Sequence, residues 1–158
     1  MRHAAIATLI VSAVTLAGCG GRAVEIDPNA KPVASRWNGT LATPAGLAGA
    51  LQVKGTAWMG YKEKDSTQTR AHVAIENATP GARHPWHVHI GQCGSDRGIF
   101  GPPGAYPVLK VGGNGEAKAD ADLPLPTPRQ GQYFVNVHAS ATNMGTIVAC
   151  GNLAPPAE

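Results

Sequence analysis

The sequence has few aromatic residues, few charges and no cluster of lysine and arginine. Aromatic residues make up 5% and charged residues 15% of its 158 positions, and the formal net charge is +3. Without a basic cluster interleaved with aromatic residues, we expect no nucleic-acid partner. No glycine-rich loop follows a strand and opens a helix, so a phosphate-binding loop is also unsupported. The hydrophobic fraction of 43% is nevertheless too high for general disorder.

The chain also lacks long helical patterns. Its 20 glycines and 13 prolines favour short strands joined by turns. Strands are predicted at 37–42, 50–59, 68–77, 84–91, 106–111, 115–121, 132–139 and 145–150. Lys62 to Asp65 is expected to form a hairpin tip, and the proline-rich segment 123–128 a crossing loop. About eight strands at this spacing predict a single all-β domain, an antiparallel sandwich or barrel.

The first eighteen residues have the features of an export signal. A short basic start precedes residues 4–17, which are almost wholly apolar or small and too short to span a membrane. Leu16-Ala17-Gly18-Cys19 resembles the lipobox of bacterial lipoproteins, in which the cysteine is lipidated; an ordinary signal peptide with a chance cysteine is the alternative. The expected organisation is a signal peptide at 1–18, a lipidated tether at 19–35, a β domain at 36–153 and a tail at 154–158.

Lipidation of Cys19 would anchor the protein in the bacterial envelope. In a Gram-negative host the expected place is the periplasmic face of the outer membrane. The two remaining cysteines, Cys93 and Cys150, form an even pair suited to an oxidising compartment. A bridge between them would close a loop of 57 residues and contribute about 4 kcal/mol of stability. The alternative is two unrelated buried thiols.

Three histidines lie within His84-Pro85-Trp86-His87-Val88-His89. On a strand, residues i and i+2 project to the same side about 7 Å apart, so His87 and His89 can meet on one metal ion. Trp86, Val88 and Ile90 would then face the core, and the histidine pair would lie outside the barrel wall, where loops can cover it. The alternative is a pair of exposed strand histidines.

A third histidine follows the same rule on another strand. In the segment 133–138, alternation directs Val135 and Val137 inward and Asn136 and His138 outward. His138 would complete a three-nitrogen site. Nitrogen-only ligation suits copper or zinc, and copper heads the affinity order.

The segment His84 to His89 is followed in order by Cys93, Val137-His138 and Ala149-Cys150-Gly151. This order of motifs resembles the copper-zinc superoxide dismutase family over roughly residues 37–153. The resemblance implies a Greek-key β-barrel with His87, His89 and His138 as copper ligands. It further implies that His84 lies beside the ligands without binding copper, and that Cys93 and Cys150 form the disulfide within the subunit.

The sequence departs from the family where zinc would bind. Residues 94–106 contain no histidine, although the family has there the histidine that bridges copper to zinc and then the remaining zinc ligands. We therefore expect one copper per domain and no zinc. The interval from His138 to Cys150 is short, and Ile147 stands where the family has an arginine that attracts superoxide. Arg97 is the nearest substitute cation in sequence.

Three functions stay open on these observations. The first is a copper-binding lipoprotein for copper sequestration or delivery, with weak or no dismutase turnover. The second is a functional copper-only superoxide dismutase, although its proton delivery and anion attraction are weakened and no catalytic residue is assigned. The third is a metal-free structural domain, since residues 133–139 also resemble the chordin-type β-domain.

Three further side chains have simpler interpretations than metal binding or have no assigned role. Met144 is a soft donor suited to Cu(I), but packing within its loop is the simpler interpretation. Tyr106 lies in the shortened loop, where it could cover the metal. His72 lies on the polar face of its strand and is interpreted as an ordinary exposed histidine.

Overall fold

The computed structural model describes residues 36–63 and 65–156. These residues form β-strands and two single 3-10 turns, at Ala45–Leu47 and Pro103–Ala105, with no α-helix among them. The strands are β1 Arg36–Ala42, β2 Lys54–Lys62, β3 Asp65–Glu76, β4 Arg83–His84, β5 Trp86–Gln92, β6 Ser95–Ile99, β7 Leu109–Lys110, β8 Ala117–Leu123, β9 Tyr133–Ser140 and β10 Asn143–Leu153. The predicted all-β class is confirmed.

Eight of the strands form one curled antiparallel sheet in the order β6-β5-β9-β10-β1-β2-β3-β8. The short strands β4 and β7 pair separately. Strands β8 and β9 are consecutive in the chain but far apart in the sheet. The predicted crossing loop at 123–128 begins the connection between them, except that Leu123 still belongs to β8. Such crossovers are typical of Greek-key β folds. Strands β5 and β9, which carry the three candidate ligands, are direct neighbours.

Alternation along the strands directs the core residues inward. On β3 the residues Thr69, Ala71, Val73 and Ile75 are buried, as predicted. The opposite face of β3 carries Arg70 and His72, which pair with Asp122 and Asp120 of β8. The largest buried side chains are Trp37, Trp86, Phe134, Met59, Leu109 and Leu123.

Several predicted strand boundaries were wrong, and backbone chemistry explains the largest differences. The predicted strand 84–91 is divided at Pro85, because proline cannot donate to the ladder; His84 belongs to β4. The predicted strand 50–59 begins only at Lys54, and 106–111 is reduced to Leu109–Lys110. Strand β6 was not predicted, since the sequence Ser-Asp-Arg-Gly-Ile is mostly exposed and shows no apolar alternation.

Ile90 was expected in the core and is instead 39% exposed. It pairs with Tyr133, the first residue of β9, which is only half-buried. The inward face is covered at Trp86 and Val88 but not at Ile90, although Tyr133 itself packs edge-on against Trp37 and Phe100. The prediction therefore holds for the first two of the three residues.

The disulfide between Cys93 and Cys150 is confirmed. It joins the turn between β5 and β6 to β10, with a separation of 6.0 Å between the two Cα atoms. The backbone N–H of Cys93 also donates to Oδ1 of Asn152, at 2.8 Å. The β5–β6 turn is thus tied to β10 by one covalent bond and one hydrogen bond.

The expected signal peptide, Cys19 and the tether at 19–35 lie outside the described residues. Within the described part of the chain, no helix is long and apolar enough to cross a membrane.

Candidate metal centre

The three predicted ligands share one face of the β5–β9 pair. In the register, His87 lies opposite Asn136 and His89 lies opposite Phe134. Directly opposed residues of an antiparallel pair project to the same side, and His138 follows Asn136 by two residues on that side. The alternation of the two segments therefore brings together His87, His89 and His138, as the sequence predicted.

The imidazole nitrogens are close enough to share one metal ion. One nitrogen from each ring lies within 4.8 Å of the other two. Nδ1 of His87 is 3.3 Å from Nε2 of His138, and the ring centroids are 5.3 to 6.0 Å apart. Within residues 36–63 and 65–156 this is the one group of three or more His, Cys, Asp or Glu side chains with such spacing.

The cluster is covered by aromatic side chains. His87, His89 and His138 are 7%, 4% and 5% exposed. Tyr106 packs edge-on against His87 and Phe134 stacks on His89, each with ring centroids 5.1 Å apart. The alternative of two exposed strand histidines is thus wrong. Tyr106 covers the cluster, and its hydroxyl donates to the carbonyl of Phe100.

Hydrogen bonds to the outer nitrogens of His138 and His89 direct the inner nitrogen of each ring into the cluster. Nδ1 of His138 donates to the carbonyl of Met144 at 2.7 Å, so its Nε2 carries a lone pair in the neutral ring. Nδ1 of His89 lies 3.0 Å from Oδ1 of Asp96, and Nε2 of His89 is buried without a partner. A buried, unpartnered nitrogen costs free energy, and a metal ion at this point would satisfy it.

Burial favours the neutral form of two of the three rings. Desolvation, helped by the neighbouring His138 and His89, lowers the pKa of His87 from 6.5 to about 4. Desolvation also lowers the pKa of His138, although its hydrogen bond to Met144 opposes the shift. Neutral imidazole is the form that binds a metal, so burial favours the metal-binding form of His87 and His138 near neutral pH.

The donor set fits a metal ion held by nitrogen alone. Metal–nitrogen bonds of about 2.0 Å would set three trigonal donors about 3.5 Å apart. The shortest separation, 3.3 Å, is already of that size, and small rotations of the other rings would close separations of up to 4.8 Å. The three histidines can therefore hold a metal ion.

His84 lies beside the cluster rather than in it. Its Nδ1 donates to the carbonyls of His138 and Ala139, at 2.9 and 3.1 Å. The backbone N–H of His138 in turn donates to the carbonyl of Pro85. Segment 84–85 therefore holds the backbone of β9 at the third ligand.

The other residues singled out near the site occupy different surroundings. Met144 contributes its carbonyl, and its side chain is 38% exposed. Ile147 lies opposite His138 in the β9–β10 register and carries no charge. Arg97 is exposed. His72 is not a plain exposed histidine, because it stacks on Trp58 and pairs with Asp120.

Two contacts of His89 were missed by sequence reasoning. Phe134 has the same parity as Asn136 and His138, so alternation alone could have placed it on the ligand face. Asp96 reaches His89 only because β6 folds back on β5, and that unpredicted strand carried no sequence signal. The structure thus adds a stacking ring and a carboxylate to the three predicted imidazoles.

The fold and the site together define an all-β protein with a buried three-histidine cluster able to hold a metal. No protein-family model matches the chain, and no curated protein matches it.

Proposed function

We propose that this protein is an exported, copper-binding lipoprotein with a superoxide dismutase-like domain, and that it sequesters or delivers copper with weak or no dismutase turnover. The observation that carries the proposal is the convergence of three buried imidazoles on β5 and β9. His87, His89 and His138 would hold the ion. When bound, copper would supply one-electron redox chemistry.

Copper is favoured over zinc by the chemistry of the donors. All three are imidazole nitrogens, and for a given nitrogen site copper binds more tightly than the other divalent first-row metals. Three-histidine sites also hold catalytic zinc in other folds, so the preference rests on the affinity order together with the missing zinc ligands at 94–106. An experiment on this protein must therefore measure bound zinc as well as bound copper.

Sequestration or delivery is favoured over turnover by the charges around the cluster. Superoxide is an anion, and rapid encounter needs a positive potential at the site. Among the described residues, the charged side chain that contacts a candidate ligand is Asp96, whose carboxylate pairs with His89. Ile147, opposite His138, is uncharged. A carboxylate beside the ligands favours retention of a cation and disfavours the approach of an anion.

Anchoring to the membrane is part of the same proposal. It rests on the lipobox-like sequence at Leu16–Cys19 and on the Cys93–Cys150 disulfide, which suits an oxidising compartment. An exported, tethered domain would meet copper outside the cytoplasm.

The test is metal analysis of protein purified after export, with copper or zinc added to the medium. We expect one copper per chain and no stoichiometric zinc. Replacing His87 and His89 together with Ala should abolish copper retention. His72→Ala is the matched control, because His72 also lies on a strand but outside the cluster, and it should retain full copper. Stoichiometric zinc in freshly purified wild-type protein would contradict the proposal.

A further inference from the structure

The carboxylate of Asp96 is held against the outer side of His89. Its Oδ1 accepts two hydrogen bonds, from Nδ1–H of His89 at 3.0 Å and from the backbone N–H of Gly98 at 2.7 Å. The side chain of His89 is 4% exposed, whereas that of Asp96 is 50% exposed. A buried ring is thus bound on its outer nitrogen by a carboxylate at the protein surface.

The backbone of the β5–β6 hairpin fixes this carboxylate. Asp96 lies opposite Gly91 in the register, with a bulge between the His89 and Gly91 pairings. Gly91 has φ +116°, and an added Cβ would lie only 2.2 Å from the carbonyl oxygen of Ser95. Gly98, which donates to Asp96, has φ +122°. Gly91 thus allows the close approach of β6 to β5 beside Asp96, and Gly98 has the backbone conformation in which its N–H reaches Oδ1 of Asp96.

The hairpin is also fastened at its turn. Cys93 lies between the two strands, and its disulfide and its N–H···Oδ1 bond tie the turn to β10. The carboxylate therefore depends for its position on the hairpin, the disulfide and its own bond to Gly98, rather than on a bound ion.

We propose that Asp96 is a positioning residue for the metal centre, fixing His89 in the tautomer with Nδ1 protonated and Nε2 free to bind the ion. This inference rests on the proposed function. Nε2 of His89 is one of two buried side-chain nitrogens without a hydrogen-bond partner among the described residues; the other is Nε2 of His84, which lies beside the cluster. Carboxylates that accept a proton from the outer nitrogen of a histidine ligand also raise its basicity, and their loss commonly weakens metal binding by 10- to 100-fold.

Asp96 differs from the groups that hold the other rings. The outer nitrogen of His138 is bonded to a neutral carbonyl, that of Met144. Among the described residues, Asp96 is the one acidic side chain that pairs with a candidate ligand. It therefore adds a negative charge beside a donor set made only of imidazoles, which favours retention of a copper cation.

The experiment compares Asp96→Ala, Asp96→Asn and Asp120→Ala in the full chain. The matched control is Asp120→Ala, since Asp120 pairs with His72 at 2.9 Å and is similarly exposed at 56%, but lies away from the cluster. Nitrogen NMR of the metal-free proteins reports the tautomer of His89. Competition with a copper chelator reports the affinity for Cu(I).

For Asp96→Ala we expect loss of the fixed tautomer and a 10- to 100-fold drop in copper affinity. Asp96→Asn should preserve the tautomer, because its amide oxygen can accept the same two hydrogen bonds, and its affinity should fall between those of the wild type and Asp96→Ala. Asp120→Ala should match the wild type in both measurements.

An unchanged His89 tautomer in Asp96→Ala, or an affinity within twofold of the wild type, would overturn the role of Asp96. Failure of the wild-type protein to bind copper would overturn the proposed function instead. The tautomer measurement needs no metal and would still confirm or overturn the fixing of His89 by Asp96.

Discussion

Removal of the Cys93–Cys150 disulfide should cost the β domain a large share of its stability. The bond closes a loop of 57 residues, and the entropy of closing such a loop in the unfolded chain corresponds to about 4 kcal/mol. Native domains are stable by roughly 5–15 kcal/mol. Reduction should therefore bring the protein much closer to unfolding, although the hydrogen bond from Cys93 to Asn152 can remain.

Urea denaturation of the metal-free protein measures this cost. The parent would carry Cys19→Ser, which removes the third cysteine, and the test variant would add Cys93→Ser and Cys150→Ser. Both sulfurs lie in exposed or half-buried residues, so serine should add little further cost. We expect the free energy of unfolding to fall by about 4 kcal/mol at a similar m-value. A fall of less than about 1 kcal/mol, or free thiols at both positions in exported protein, would refute the reasoning.

Three further predictions follow from burial, sequence and charge. Lowering the pH from 6.5 to 4 should destabilise the metal-free protein, because His87 takes up a proton near pH 6.5 in the unfolded chain but only near pH 4 in the folded protein. A His87→Gln variant should lose less stability over that range, and equal losses in the two proteins would contradict this prediction. Wild-type protein should fractionate with membranes and become soluble on Cys19→Ser; a wholly soluble wild type would rule out the anchor. Copper-loaded protein should dismutate superoxide well below the diffusion limit with a shallow dependence on ionic strength, whereas pulse radiolysis showing a near-diffusional rate that falls steeply with salt would instead establish a dismutase.

The sequence was sufficient to predict the histidine cluster because the cluster depends on strand alternation. The spacing of His87 and His89 and the parity of His138 place all three rings on one face once their strands pair. The same alternation predicted the buried face of β3 from Thr69 to Ile75. These predictions needed only the two-residue period of a strand.

What could not be predicted depends on register and on chain reversal. Asp96 reaches His89 through a bulged hairpin whose second strand has no apolar pattern. The division of the predicted strand 84–91 at Pro85 could have been predicted from the sequence, since proline cannot donate to a ladder. The pairing of β4 with β7 could not have been predicted, because it depends on which distant segments of the chain meet in the fold.

X-ray absorption spectroscopy of the copper-loaded wild-type protein tests the central claim most directly, because it reports the atoms bound to the metal. The account predicts three nitrogen donors at about 2.0 Å with the outer-shell scattering of imidazole, and no sulfur from the nearby Met144. The same spectrum recorded on the His87→Ala, His89→Ala variant should show no protein-bound copper. A sulfur donor, or a shell without imidazole scattering in the wild type, would contradict a copper centre built from His87, His89 and His138.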